Sequence, residues 1–85
     1  MISAGQLKAA RALLGIDQRE LAELSGLSLP TIQRMESSDG VVRGNVDSLV
    51  KLLAALDRAG IIVIRPGDVS DGTAGRGVRL KGDVM

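Results

Sequence analysis

The side chains of this chain that could do chemistry are hydrogen-bonding groups, concentrated between residues 18 and 34. Amide, hydroxyl and guanidinium groups bond phosphate oxygens, and the planar guanidinium fork also matches the O6 and N7 acceptors of guanine. Side chains of these types can bind a nucleic acid. The residues that carry them are Gln18, Arg19, Ser28, Thr31, Gln33 and Arg34.

Composition excludes several other classes of function. The 85 residues include no His and no Cys, which excludes a zinc site of the usual Cys/His type, disulfide bonds and a His general base. No activated nucleophile or cofactor motif is visible, so we expect no enzymatic activity, no cofactor and no metal site. Phe, Tyr and Trp are also absent, and with them the stacking platforms common in RNA and single-strand binding modules.

The charge of the chain is nearly balanced, at +1, with four basic and five acidic side chains in residues 1–40. We therefore expect weak non-specific binding to DNA, with affinity coming from a few placed cations and from dimerisation. The first ten residues lack the pattern of a signal peptide, and charged residues interrupt the apolar stretch 49–64. We expect a soluble, cytoplasmic protein of one domain's length.

Capping residues predict where the first two helices begin and end. Ser3 with Gln6 and Asp17 with Glu20 have the spacing of capping boxes, and Gly15 suits the end of the first helix. The predicted buried stripes are Leu7, Ala10 and Leu14 in the first helix and Leu21, Ala22 and Leu24 in the second.

Two further helices are predicted in the same way. Ser28 can cap a third helix with Pro30 in its first turn, and Asn45 can cap a fourth helix that ends at Gly60. The predicted inward-facing residues are Ile32 and Met35 in the third helix and Val46, Leu49, Val50, Leu53 and Leu56 in the fourth.

After Gly60 the pattern changes from helical to extended. Residues 61–65 and 77–81 are predicted to form a β-hairpin with a long loop, which must pack on the helices or on another chain. The loop sequence GTAGRG lacks the context and the ending of a phosphate-binding loop. The apolar run Ile61, Ile62, Val63 and Ile64 is predicted to contact a dimer partner or another protein, since half of it would otherwise face water.

Residues 18–37 combine the second and third helices into a helix-turn-helix unit. Ala22 is small enough for the two helices to approach closely, and Gly26 can adopt the left-handed backbone of the turn. Ile32 is placed to anchor the third helix to the core. Such a unit holds one helix so that its exposed face can enter the major groove of DNA.

On these residues the chain resembles the Cro/C1-type (Xre, lambda-repressor-like) helix-turn-helix family. The resemblance covers about residues 3–60, with LLGIDQRELAELSGLSLPTIQRME at its centre. It implies a mainly α, four-helix lambda-repressor-like domain at 1–60, with the hairpin extension at 61–85 in place of a fifth helix. It further implies a homodimer on a near-palindromic operator and transcriptional regulation, usually repression.

The resemblance also suggests roles for individual residues. Gln18, beside Arg19, matches a Gln that typically bonds a phosphate, and Arg43 lies in a region that often grips the DNA backbone. The groove-facing positions map to Ser28, Leu29, Pro30, Thr31 and Arg34.

Arg34 is the best candidate for reading a base, because Leu29 and Pro30 offer only contact with a thymine methyl. Ser28, Thr31 and Gln33 are more suited to phosphates. Simpler alternatives stay open: Arg34 as a solvated residue or a partner of Glu36 or Asp39, Gln18 as a plain surface residue, and Leu29 as a core or dimer residue.

Two functions therefore fit the sequence. The first is a sequence-specific regulator that binds double-stranded DNA through residues 28–36. The alternative is an antitoxin-like or adaptor protein whose main role is to bind a protein partner, which the near-neutral charge and the apolar strand favour. An enzyme fits poorly.

Overall fold

The computed structural model describes residues 2–64 and 77–81, which form four helices and a two-stranded antiparallel sheet. The prediction of a mainly α chain with four helices and a C-terminal hairpin is thereby confirmed. Arg65 and the predicted loop lie outside the described residues, and Lys81 follows the second strand instead of belonging to it. The elements are α1 (Ala4–Leu14), α2 (Gln18–Ser25), α3 (Leu29–Glu36), α4 (Val46–Arg58), β1 (Ile61–Ile64) and β2 (Gly77–Leu80).

Local capping sets the helix boundaries, as predicted. In α1 the Ser3 hydroxyl accepts a bond from the Gln6 amide at 3.0 Å, and the Gln6 side chain accepts one from the Ser3 amide at 2.8 Å. Asp17 and Glu20 make the same reciprocal pair at the start of α2. These bonds satisfy amide groups that a helix start leaves without partners. Ser28 and Asn45 cap α3 and α4 through their side-chain oxygens.

The core is built from aliphatic side chains of all four helices. Ile32 and Met35 of α3 are almost fully buried, as predicted, which fastens α3 to the rest of the molecule. In α2 the predicted inward position of Leu24 is wrong: Leu24 is exposed, and Ser25 is buried with its hydroxyl donating to the Leu21 carbonyl at 2.8 Å. The largest fully buried side chains are Ile2, Leu7, Leu21, Ile32, Met35, Leu52 and Leu56.

Helix α4 faces the core with a different stripe from the predicted one. The predictions for Val46 and Val50 are wrong, because these side chains are 77% and 59% exposed. The sequence VDSLVKLLAALDR has apolar residues around most of the helix, so periodicity alone allows more than one inner face. Packing against the other helices selects the face centred on the bulky leucines. The buried residues of α4 are Leu49, Leu52, Ala55 and Leu56.

The hairpin packs on α1 and α4 with one face. Ile61 pairs with Leu80 and Val63 with Val78, and Ile61 is only 2% exposed within the chain's own core. Because successive side chains of a strand alternate between faces, Ile62 and Ile64 belong to the opposite, outer face. Of the four residues predicted to contact a partner, Ile62 and Ile64 are therefore the two on the outer face.

A buried amide in α1 holds the end of the hairpin. The Gln6 Nε2 group donates to the carbonyl oxygens of Ile64 at 2.7 Å and of Gly77 at 2.9 Å. One side chain thus caps the first helix and binds both strands. The sequence predicted the cap but not the strand contacts, because Ile64 and Gly77 are 58 and 71 positions from Gln6.

Candidate nucleic-acid interface

The turn between α2 and α3 fixes the angle at which α3 is presented. Gly26 has a φ of 72°, in the left-handed region that its sequence position predicted. The next amide, Leu27 N, donates to the carbonyl of Ala22 at 3.1 Å, which closes the turn against α2. Ala22 is buried between the helices, as its small size suggested.

Replacing Gly26 by Ala is expected to lower the free energy of unfolding by about 1–2 kcal/mol, the cost of a left-handed backbone for a residue with a Cβ. A Cβ added at Gly26 meets no atom within 4 Å, so the cost would come from the backbone alone. Gly5→Ala is the matched control. Gly5 lies in α1, where Ala is favoured, so this change should be neutral or stabilising.

Far-UV circular dichroism during urea unfolding measures both variants, since the chain has no Trp or Tyr fluorescence. A Gly26→Ala chain as stable as the wild type would show that the turn does not need the left-handed backbone.

The outer face of α3 carries most of the predicted contact residues. Pro30, Gln33 and Arg34 are exposed, and Leu29 and Thr31 are half-buried. Ser28, just before the helix, is exposed as well. The structure therefore places the predicted groove-facing side chains on the surface of a helix whose opposite face is held in the core.

Hydroxyl groups connect the start of α3 to Arg34. The Ser28 and Thr31 hydroxyl oxygens are 2.8 Å apart, and the Arg34 Nη2 group donates to the Thr31 hydroxyl at 3.3 Å. The alternative pairing of Arg34 with Glu36 is wrong, because Arg11 and Gln18 bind that carboxylate. Within residues 2–64 and 77–81, Arg34 and Asp39 form no ion pair.

A buried ion pair ties α1 to the end of α3. The Arg11 Nε and Nη2 groups donate to the two carboxylate oxygens of Glu36 at 2.6 and 2.9 Å, a two-pronged geometry. Arg11 Nη1 also donates to the carbonyl of Ile16 at 3.3 Å. Glu36 is 4% exposed, and the Arg11 guanidinium compensates a carboxylate charge that would otherwise be costly to bury.

Gln18 completes this network from the first residue of α2. Its Nε2 group donates to Glu36 Oε1 at 3.0 Å, which orients the half-buried amide. Burial by itself raises the pKa of Glu36, but the hydrogen bonds from Arg11 and Gln18, together with the positive charges of Arg11 and Lys8, hold that pKa below its ordinary value. The hydrogen bond to Glu36 likewise raises the pKa of Arg11.

Acid is expected to weaken the fold partly through Glu36. Because the pKa of Glu36 is lower in the folded chain, its contribution to stability is fully present above the unfolded pKa, about 4.3. That contribution is lost as the pH falls through the lower, folded pKa. In Glu36→Gln, which cannot titrate, the free energy of unfolding should fall less steeply below about pH 4.3.

Urea unfolding at a series of pH values measures this slope, with Glu23→Gln on the exposed face of α2 as the matched control. A wild-type acid slope in Glu36→Gln would contradict the lowered pKa.

The structure brings only some of the predicted contact residues together. The Gln18 side chain bonds Glu36 at the end of α3. Arg19 and Arg43 are exposed cations that precede and follow α3 in the sequence. The Arg43 amide donates to the Ser38 hydroxyl at 3.4 Å, which holds the backbone of that loop near α3. Contact of these residues with DNA stays a prediction.

Within the described ranges 2–64 and 77–81, His, Cys, Asp and Glu side chains form no cluster that could hold a metal ion. In the same part of the chain, every helix is too short or too polar to cross a membrane.

Comparison with protein families gives a match over most of the helical region. The model of a helix-turn-helix family, the Cro/C1-type, matches residues 7–59, which is more than half of the chain. The matched region includes α2, the Gly26 turn and α3. A search of curated proteins gives no match.

Proposed function

The chain belongs to the Cro/C1-type helix-turn-helix family of DNA-binding regulators, and from that membership we propose that it is a sequence-specific transcriptional repressor. It would bind double-stranded DNA as a homodimer, with α3 in the major groove. A cytoplasmic location belongs to the same proposal, because a regulator must share a compartment with its operator.

The observation that carries the proposal is the two-sided character of α3. Ile32 and Met35 hold one side in the core, and the other side presents Gln33 and Arg34 to solvent. Because its inner side stays packed in the core, α3 can enter a groove about 12 Å wide without a rearrangement of the core.

The exposed residues divide into two proposed roles. Arg34 would read a guanine edge, and Leu29 and Pro30 would contact thymine methyl groups. The remaining residues would bond phosphates and set the position of the helix. These phosphate-binding residues are Gln18, Arg19, Ser28, Thr31, Gln33 and Arg43.

Binding to DNA from the chain's own upstream region, compared with scrambled DNA at several salt concentrations, tests the proposal. We expect a higher affinity for the upstream DNA and a modest salt dependence, because few cations are available to displace counterions. Equal affinities for the two DNAs would overturn the sequence-specific role.

The outer face of the hairpin supports a second candidate, an antitoxin-like or adaptor function. Ile62 and Ile64 lie on that face, and the Ile64 side chain extends over Gly77, whose added Cβ would be 3.7 Å from Ile64 Cδ1. Such an apolar pair suits contact with another protein. The two functions are compatible, and equal binding to upstream and scrambled DNA would leave the protein-binding role as the better account.

A further inference from the structure

Helix α4 carries an apolar surface that the described residues of the chain leave uncovered. Val46, Val50 and Leu53 follow each other at intervals of four and three residues, so they lie along one side of the helix. Val46 and Val50 are 77% and 59% exposed, and Leu53 is half-buried at the edge of the core. These three residues are called the α4 stripe below. Together they form a small apolar patch on which a partner could pack.

Two opposite charges flank the α4 stripe. Asp47 Oδ2 and Lys51 Nζ are 3.2 Å apart, one helical turn from each other, and both side chains are exposed. As an exposed pair within one helix they contribute little to stability. Their order along the helix, with Asp47 before Lys51, indicates what kind of surface could pack against them.

This charge order is complementary to itself when two copies of α4 pack antiparallel. A two-fold rotation reverses the partner's helix, so Asp47 of each copy lies near Lys51 of the other. Packing the same helices in parallel would instead place the two Asp47–Lys51 pairs on opposite sides of the contact, too far apart to interact. An antiparallel pair also places the valines of one copy against those of the other.

We propose that a second copy of this chain docks on the α4 stripe, forming a two-fold, antiparallel α4 pair. The inference rests on the homodimer of the proposed function and assigns its contact surface. It places that contact on α4, separate from the outer face of the hairpin.

The charges of the hairpin do not favour docking of a second copy on its outer face. Arg79 lies opposite Ile62 on the outer face of the sheet, and it is the only charged side chain among residues 61–64 and 77–80. Two copies joined through this face would bring like charges near each other. The hairpin face therefore suits a different partner, whereas the α4 face suits a second copy.

The size of the stripe predicts how tightly the copies associate. A stable interface buries about 800 Å² on each partner, and three side chains on two helical turns offer considerably less. We expect a weak dimer in solution that becomes complete on DNA, where two adjacent half-sites hold the copies together. Binding to a two-fold operator should then be cooperative.

Charge reversal tests the proposal directly. Asp47→Lys alone and Lys51→Asp alone each place like charges across the pair, and we expect roughly tenfold weaker self-association, equivalent to about 1.4 kcal/mol. Sedimentation at low salt measures this. An equimolar mixture of the two single variants should recover wild-type association as a heterodimer, and so should the double variant.

The mixture is the decisive arm, because it contains the same two folded chains that associate more weakly on their own. Recovery in the mixture supports the antiparallel pair. Wild-type association in both single variants overturns it, and so does a mixture as weak as its components.

The apolar contact has its own control. Val50→Ser should weaken self-association, while Leu13→Ser should not, because Leu13 is a similarly exposed apolar residue, 45% exposed, on a different helix, α1. Circular dichroism confirms that each variant is folded. An equal loss in both variants would overturn the assignment to α4.

The inference and the proposed function fail in different ways. Charge-sensitive dimers that bind upstream and scrambled DNA equally would overturn the regulator and keep the α4 pair. Specific operator binding that is unchanged by the charge reversals, with wild-type cooperativity, would overturn the α4 pair and keep the regulator.

Discussion

Replacing Arg11 by Met is expected to lower the free energy of unfolding by about 3 kcal/mol, because it removes the cation that Glu36 is buried against. Glu36 is 4% exposed and accepts two bonds from Arg11, at 2.6 and 2.9 Å. Without them the carboxylate keeps only the bond from Gln18. Arg11 itself is partly exposed, which places the effect at the lower end of the range for broken buried pairs.

Urea unfolding followed by circular dichroism measures the loss, read as a lower midpoint with an unchanged slope. Lys8→Met is the matched control, because Lys8 is an exposed cation on the same helix and its loss should change stability by no more than about 0.5 kcal/mol.

A double variant distinguishes the cost of burying an unpaired carboxylate from the net stabilisation that the ion pair provides. In Arg11→Met with Glu36→Met no charge is left buried, so most of the lost stability should return. A double variant as unstable as Arg11→Met alone would show that the pair itself, and not the stranded carboxylate, provides the stability.

The local features of the fold were predictable because their causes are local. Each capping box lies within four residues, and Gly26 marks its turn by lacking a Cβ. The helix-turn-helix unit follows from such signals, which is why α2, α3 and their turn agree with the prediction. The same reasoning placed Ile32 and Met35 in the core.

The features that were missed depend on contacts between distant residues. Arg11 and Glu36 are 25 positions apart, and the nearby Arg34 looked equally able to pair with Glu36. In α4 the apolar residues surround most of the helix, so only packing could show that Leu52 faces inward and Val50 outward. In the candidate site, Pro30, Gln33 and Arg34 are exposed, but the sequence could not reveal that Glu36 holds Gln18 in place.

The network has a consequence for the proposed site. Glu36 is the last residue of α3, and its two donors come from α1 and from the start of α2. The bond from Gln18 to Glu36 therefore fixes α3 relative to Gln18, which is proposed to bond a phosphate. The proposed phosphate contact and the proposed base contact would in this way be set by one rigid arrangement.

Replacing Arg34 by Ala is expected to weaken binding to the specific operator by about 1–3 kcal/mol and to relax the preference at one base pair. The planar guanidinium would donate to both O6 and N7 of a guanine, and Ala offers no donor. Arg34 is exposed on α3, and among the described residues its side chain bonds only Thr31, at 3.3 Å, so it can turn toward a base without breaking a buried contact with them.

Two comparisons distinguish a base reader from a cation that merely attracts DNA. Arg34→Lys keeps the charge but loses the fork, so it should lose base preference nearly as fully as Arg34→Ala while keeping the wild-type salt dependence. Arg43→Ala, the proposed backbone contact, should weaken all sequences alike and reduce the salt slope by about one. Binding to operators substituted at each position measures both effects, and an unchanged preference profile in Arg34→Ala would show that α3 reads DNA through other side chains.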